Sequence, residues 1–184
     1  MPLDFSWQWW VSQAFAVIGL IFVIISNQQK TTLKLMIHRN IATLMIFIGL
    51  CFLGELSAII MIGAGVIRNL VSLYFAIKPN TKKVYKIIAC LLIIGLIIGL
   101  NIYFWENYYN LFSIFIGCLL VVTFMQERPN IIRILTVIVD IISIVYYILL
   151  ISPINLVIEV VSLVAAVVGI IRLDIKKKTK ITEK

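Results

Sequence analysis

Three ionisable side chains interrupt otherwise apolar stretches of the sequence: Arg68, Asp140 and Glu159. A charge left alone in hydrocarbon is costly, so each of them is expected to face the interior of a helix bundle and to find a partner there. Two kinds of role are open. These side chains could form a charged station on the path of a solute or a proton, with Asn69 supplying hydrogen bonds beside Arg68. Alternatively, they could be structural charges whose pairing fixes the register of the helices.

Arg68 and Asp140 are predicted to pair with each other. Counted from the nearest basic loops at about 1.5 Å per residue, both fall near the middle of a bilayer. The arginine has five donors and keeps its proton, so it needs an acceptor. Glu159 comes about one turn after the polar connection Ser152-Pro153-Ile154-Asn155 and is expected closer to the outer water.

Residues that would support catalysis or metal binding are scarce. The sequence has one histidine, His38, so no histidine cluster can hold a metal ion. It contains no Gly-x-Ser-x-Gly motif and no lysine inside an apolar run that could activate a serine. We therefore expect no enzyme activity, no metal site and no cofactor.

Membrane-spanning helices must position these side chains. Of the 184 residues, 62% are hydrophobic and 13% are charged, against about 45–50% and about 25% in a typical soluble domain. A span needs about 20 mainly apolar residues, and polar breaks divide the sequence into seven such runs. The predicted fold is a single all-α integral membrane domain in the lipid bilayer, with spans at residues 8–26, 36–54, 57–77, 85–104, 109–125, 131–151 and 155–172.

The positive charge lies on one side of these seven spans. Every Lys and Arg except Arg68 falls in or beside the first, third or fifth loop, or in the tail at 174–184 with Arg172 just before it. The opposite side carries Asp4, Glu55 and Glu106. Because cytoplasmic loops are enriched in Lys and Arg, we expect the N-terminus outside and the C-terminus in the cytoplasm. The net charge of +8 then reflects membrane orientation, and we expect no nucleic-acid partner.

Spans one to three and spans five to seven share a layout. In each group a polar, basic loop follows the first helix, at Asn27 or at Gln126, and a hairpin turns outside at the same spacing, at Gly54 or at Pro153. The prediction is a bundle of 3+1+3 helices with parallel repeats. Repeat 1 covers about 8–77, a linker helix about 85–104 and repeat 2 about 109–173. By analogy of helix count and loop length alone, this is the plan of SWEET and PnuC carriers.

Short motifs close the two halves: Val66-Ile67-Arg68-Asn69-Leu70 and Gly169-Ile170-Ile171-Arg172-Leu173. Together with the cation-rich first loop and the short glycine-containing hairpin, they resemble the YgjV-like family of bacterial inner-membrane proteins. The resemblance implies a multi-pass protein of the bacterial cytoplasmic membrane. It carries over no activity.

Four glycines are predicted to serve helix packing. Gly95 and Gly99 form a Gly-x-x-x-Gly motif in span four, which lets two helices approach closely. Packing inside the chain's own bundle is the favoured interpretation, and a seam between two copies in a homo-oligomer is the alternative. Gly63 and Gly65 precede Arg68 and could either pack closely or line a cavity with backbone.

Two hypotheses for function remain open. The first is a small-solute carrier with Arg68, Asn69, Asp140 and Glu159 on the substrate or ion path between the two halves. The second is a non-transporting membrane protein that binds, regulates or protects a partner. Its loops or the Lys176-Lys177-Lys178 run would make the contact, although the favoured interpretation of this run is a topology anchor that also touches anionic lipid. The repeat layout favours the carrier.

Overall fold

The computed structural model describes residues 7–54, 56–105, 108, 110–149 and 153–175, and every regular element among them is helical. The elements are α1 (Trp7–Asn27), α2 (Thr32–Leu53), α3 (Leu56–Ile77), α4 (Lys83–Tyr103), α5 (Asn110–Phe124), α6 (Pro129–Leu149) and α7 (Pro153–Gly169), and α7 continues as a π-helical segment (Ile170–Ile175). The all-α prediction and its seven helices are confirmed. Asp4, Glu55, Glu106 and the tail from Lys176 lie outside the described residues.

Six of the helical segments are long and apolar enough to cross a membrane, among them Asn155–Leu173, which joins most of α7 to the π-helical segment. The exception is α5, with 15 residues. At about 1.5 Å per residue it is about 22 Å long, shorter than the roughly 30 Å of a hydrocarbon core. The predicted fifth span, 109–125, is therefore a helix of the bundle that is shorter than a full crossing.

Local sequence signals fix the ends of several helices. The side chain of Thr31 accepts a hydrogen bond from the backbone N–H of Lys34 and caps the start of α2. Gly54 ends α2 with φ of 72°, a left-handed conformation that glycine adopts without strain, and its N–H donates to the carbonyl of Leu50. Pro129 and Pro153 are the first residues of α6 and α7, positions that tolerate a missing N–H.

The helices pack in a closed ring. Along the chain, α1 packs on α2, α2 on α3, α5 on α6 and α6 on α7, while α4 joins α3 to α5. Contacts of α1 with α7 and of α3 with α5 connect the two predicted halves. In each half the middle helix, α2 or α6, touches both of its neighbours. The relation of the halves by a 3+1+3 repeat stays a prediction.

The outer surface of the bundle is apolar, and its interior holds many polar side chains beside a hydrophobic core. Large apolar side chains such as Val17, Leu92 and Val157 are exposed on its flanks, as expected for a surface that faces lipid. The interior holds polar as well as apolar side chains. The buried polar residues include Ser26, Asn27, Asn40, Arg68, Asn69, Ser72, Arg133, Thr136, Asp140, Ser143 and Ser162.

The two ends of the bundle differ. At one end, here called the basic end, lie the α1–α2, α3–α4 and α5–α6 connections with most of the Lys and Arg residues. At the other, here called the aromatic end, Trp7, Trp10, Trp105 and Tyr108 are exposed. Aromatic rings with a polar edge favour the headgroup level, so these residues fit a bilayer interface.

Candidate functional site

Two arginines meet over one aromatic ring inside the bundle. The guanidinium carbon of Arg39 on α2 lies 5.2 Å from the centroid of the Phe124 ring, and that of Arg68 on α3 lies 5.3 Å from it. Phe124 ends α5 and is buried. Cations over an aromatic face are attracted by its quadrupole, by about 0.5–2 kcal/mol each. Phe124 therefore holds together two like charges that come from neighbouring helices.

Asn69 links Arg68 to α2. The Nε of Arg68 donates to Asn69 Oδ1 over 3.1 Å, and Asn69 Nδ2 donates to Thr43 Oγ1 over 2.7 Å. The backbone carbonyl of Asn69 accepts from Asn40 Nδ2 over 3.1 Å. Asn69 thus fixes the direction of the Arg68 side chain, and the prediction that it supplies hydrogen bonds beside Arg68 agrees with this geometry.

Two acids from α6 and α7 lie on the same level. Asp140 is buried and Glu159 is half-buried, and each interacts electrostatically with the other and with Arg39. Glu159 is therefore a neighbour of Asp140, and the expectation that it lies closer to the outer water stays a prediction. Glu159 lies in the second turn of α7 (Pro153–Gly169), and Asp140 lies in the middle of α6 (Pro129–Leu149).

The predicted ion pair between Arg68 and Asp140 is not formed. Among the described residues, no oxygen of Asp140 lies within ion-pair distance of Arg68, and the charged neighbour of Asp140 on the cationic side is Arg39. Arg68 turns instead toward Asn69 and Phe124. The sequence indicates how deep Arg68 and Asp140 lie along their helices. It does not indicate which helix face each residue lies on, and the two faces do not bring the side chains together.

The charged seam, defined as Arg39, Arg68, Asp140 and Glu159, lies near mid-depth. Counted from the basic end of each helix at about 1.5 Å per residue, the four residues fall between about 10 and about 17 Å deep. The centre of a hydrocarbon core that is roughly 30 Å thick lies within this range. Arg39 and Arg68 come from the first predicted half, and Asp140 and Glu159 come from the second. The seam is thus where the charges of the two halves meet.

Several polar atoms in and beside the seam lack partners. Asn40 Oδ1, Asp140 Oδ2 and Ser162 Oγ are buried and complete no hydrogen bond in the part of the chain that the structure describes. Ser162 lies beside Asp140, yet its hydroxyl does not reach normal hydrogen-bond geometry. Buried polar atoms are normally satisfied, so these three mark a place where water or a ligand belongs. The described residues include no group of three His, Cys, Asp or Glu that could hold a metal ion.

A small cleft opens beside the seam toward the basic end. It has a volume of about 70 Å³, and its lining includes Ser72 and Phe124 at its inner side and Lys86 and Glu127 at its rim. Lys86 and Glu127 form an ion pair, in which Lys86 is mostly buried and Glu127 is exposed. Phe124 therefore borders both the cleft and the two arginines of the seam.

A further buried arginine, Arg133, joins the two predicted halves at the basic end. Arg133 on α6 donates from Nε to the carbonyl oxygen of Asn27 over 2.9 Å and also donates to the carbonyl of Gln29. Gln28 donates to the carbonyl of Ala165 on α7 over 3.0 Å. The end of α1 is thus held by α6 and α7. The sequence analysis counted Arg133 among the cations in or beside the fifth loop, whereas the structure buries it almost completely.

The glycines behave differently from one another. A methyl group at Gly63 would meet Phe47 of α2 at 3.6 Å, an ordinary contact that fits a packing role, and at Gly65 the nearest group is the Arg68 side chain at 3.7 Å. Gly95 and Gly99 have nothing within 4 Å and are exposed. The predicted packing of this motif inside its own bundle is therefore not formed, and the seam between two copies stays a prediction.

The family model Imp-YgjV, described as a bacterial inner membrane protein, matches residues 10–177. The chain belongs to the Imp-YgjV family. The resemblance drawn from the closing motifs of the two halves is thereby confirmed. All four residues of the charged seam lie inside the region matched by Imp-YgjV. No curated protein and no solved structure matches the chain.

Sequence reasoning missed Arg39 as a member of the site in this Imp-YgjV protein. The predicted second span began at residue 36, which placed Arg39 in the first turn among the loop cations. In the structure α2 begins at Thr32, so Arg39 lies two turns inside. The available signal was Thr31: a threonine before an apolar run is an N-cap residue, and it would have placed the helix start four residues earlier.

Proposed function

We propose that this Imp-YgjV protein is a small-solute carrier of the bacterial inner membrane, with its site at the charged seam. The observation that supports the proposal most is the meeting of four ionisable side chains from both halves near mid-depth, next to unsatisfied buried polar atoms. Intramembrane charges of this kind are costly and mark solute and ion paths. Carriers built from repeats bind their solute at the repeat interface near the middle of the bilayer.

The size of the cleft restricts the mechanism. At about 70 Å³ it has room for a few water molecules and is far smaller than the roughly 300–1,000 Å³ of a typical small-molecule pocket. A metabolite would need the two halves to move apart, on the basic side and then on the aromatic side. The contacts of α1 with α7 and of α3 with α5 are the places where such a movement would occur.

The same small cleft favours the alternative function, a non-transporting membrane protein that binds, regulates or protects a partner. In that case the seam would be a structural element that holds the halves together. The two functions differ in one measurable property, the passage of a solute across a sealed membrane.

Uptake into proteoliposomes tests the proposal. Radiolabelled lactate, alanine, glucose and thiamine serve as an anion, a zwitterion, a sugar and a vitamin. We expect at least one of them to accumulate faster than in protein-free liposomes, and Asp140→Asn to abolish the difference. Lys82→Gln, at an exposed position outside the seam, is the matched control and should transport normally. No uptake of any probe by folded, reconstituted protein would contradict the carrier function.

We further propose that the basic end faces the cytoplasm, because positive loops are retained there. Fusions of a reporter that is active only in the cytoplasm should be active at Pro79 in the α3–α4 connection and inactive at Glu106 in the α4–α5 connection. The reverse pattern would invert the orientation.

A further inference from the structure

Arg39 and Arg68 carry more hydrogen-bond donors than the surrounding protein satisfies. A guanidinium has five N–H donors. The side chain of Arg68 makes one hydrogen bond among the described residues, from Nε to Asn69 Oδ1, and the side chain of Arg39 makes none there. Their terminal N–H groups are therefore available to an acceptor that is not part of the described chain.

The two acids of the seam do not neutralise Arg68. Arg39 is a Coulombic neighbour of both Asp140 and Glu159, whereas the charged neighbour of Arg68 is Arg39, a like charge. A buried cation beside another cation is unfavourable unless an anion joins them. The aromatic face of Phe124 offsets part of this repulsion but supplies no acceptor for the N–H groups.

We infer that Arg39 and Arg68 form a binding site for a small carboxylate, the two arginines presenting their N–H groups to the anion and Phe124 holding them in place. A guanidinium matches a carboxylate in planar, two-bonded geometry. The inference rests on the proposed function and names the chemical class of its solute. Phosphate shares the match with guanidinium, but the small cleft that leads to Phe124 favours the smaller group.

The surroundings supply the remaining contacts for such an anion. Asn69 directs Arg68. On α2, Asn40 follows Arg39 and has a buried side-chain oxygen that accepts no hydrogen bond among the described residues. This oxygen suits a hydroxyl donor on the solute rather than its carboxylate. The cleft reaches Phe124 from the basic end and has the mostly buried Lys86 at its rim. Lys86 is paired there with the exposed Glu127, and Lys83 is a further cation beside this pair. The rim is therefore net positive, which raises the local concentration of anions at the opening.

The test measures binding by the full chain in nanodiscs of neutral phosphatidylcholine at constant ionic strength. The probes are sodium acetate and sodium lactate, with acetamide and lactamide as neutral analogues of the same shape. We expect a saturable rise in melting temperature with the carboxylates and none with the amides. Arg39→Gln and Arg68→Gln should each weaken the apparent Kd at least about tenfold, as the loss of a charge-assisted hydrogen bond predicts. Arg128→Gln, an exposed cation outside the seam, should leave it unchanged.

A second pair of measurements separates the possible sources of the anion and guards against misfolding. Arg68→Lys keeps the charge but not the planar fork, and is expected to bind with intermediate affinity. Phosphatidylglycerol in the nanodiscs could abolish acetate binding, while the melting temperature of Arg68→Gln does not respond to that lipid. In that case a lipid headgroup occupies the site, and the solute assignment is overturned. Equal effects of carboxylates and amides, or equal losses in Arg128→Gln, would also overturn it. Uptake of a neutral solute without carboxylate binding contradicts this inference alone, and carboxylate binding without uptake contradicts the carrier function alone.

Discussion

Arg133 on α6 donates from Nε to the carbonyl oxygen of Asn27, the last residue of α1, over 2.9 Å. The bond joins residues more than a hundred positions apart in sequence and so ties the two predicted halves together. It satisfies one of the carbonyl groups that every helix leaves open at its C-terminus. A cation is also favourable there because the helix dipole is negative at that end.

Replacing Arg133 with leucine should destabilise the protein. The change leaves the carbonyls of Asn27 and Gln29 without their donor in a buried place, and each hydrogen bond to a charged group contributes about 1.5–3 kcal/mol. We expect a clear fall in melting temperature in detergent for Arg133→Leu and a smaller one for Arg133→Lys. The exposed Arg128→Leu is the control and should melt like the parent. Equal melting temperatures of Arg133→Leu and Arg128→Leu would show that the hydrogen bonds of Arg133 contribute little to stability.

Gly169 allows α7 to approach the end of α1 closely. A methyl group there would lie 2.5 Å from the backbone oxygen of Asn27 and 3.2 Å from Arg133 Cδ. Backbone cannot move aside cheaply, so Gly169→Ala should destabilise by about 1–3 kcal/mol, the usual range for overpacking. Gly95→Ala, where the space is open, should be close to neutral. Thermal melting of the two variants side by side tests the prediction, and an unaffected Gly169→Ala would contradict the close packing.

The sequence predicted the helices well because their signal is local. Seven apolar runs and their polar breaks identify seven helices at nearly the observed positions. What apolarity alone could not determine is how far a helix extends past its apolar part. The predicted second span lacked the first turn of α2 (Thr32–Leu53), which is polar and follows the cap at Thr31.

The site was only partly predictable for a related reason. Arg68, Asn69 and Asp140 stood out because they interrupt apolar runs, and all three are buried. Arg39 and Arg133 did not stand out, since each lies near a loop and looks like one of the loop cations. Whether such a residue points into the bundle depends on which face of its helix meets the neighbours. That is a property of the packed tertiary structure, which a single sequence does not display.

Arg39 and Asp140 should be energetically coupled. Arg39 is the cationic neighbour of Asp140, so removing one partner leaves the other charge buried, and the double variant avoids this. A double-mutant cycle with Arg39→Met and Asp140→Leu should give a coupling free energy of about 0.5–3 kcal/mol. The matched cycle with Arg68→Met and Asp140→Leu should be additive within about 0.5 kcal/mol. A larger coupling free energy in the Arg68 cycle would indicate an ion pair between Arg68 and Asp140, and would contradict the structure.

The ion pair at the rim of the cleft predicts a pH dependence. The hydrogen bond and the charge of Lys86 hold the pKa of Glu127 below its ordinary value of 4.5. A group whose pKa is lower in the folded state stabilises the fold above its ordinary pKa, and this contribution disappears as the pH falls through the folded value. Because Glu127 is exposed, the contribution is small, at most about 1 kcal/mol.

Melting curves of the parent and of Glu127→Gln should therefore differ slightly at neutral pH and converge in acid. Lys86→Gln should show the same loss at neutral pH, and Lys82→Gln should show none. A difference between the parent and Glu127→Gln that grows as the pH falls would have the wrong sign for this pair.

A carrier must let water and solute reach the charged seam, and cysteine labelling measures this access directly. In a protein with Cys51, Cys90 and Cys118 replaced by serine, a single cysteine is placed at Ser162, which is buried beside Asp140. Right-side-out and inside-out vesicles are then treated with a charged thiosulfonate reagent that cannot cross the membrane. We expect modification of Ser162→Cys in both orientations, while Val164→Cys on the apolar outer face of α7 stays unmodified. A folded Ser162→Cys protein that is unreactive from both sides would contradict this expectation.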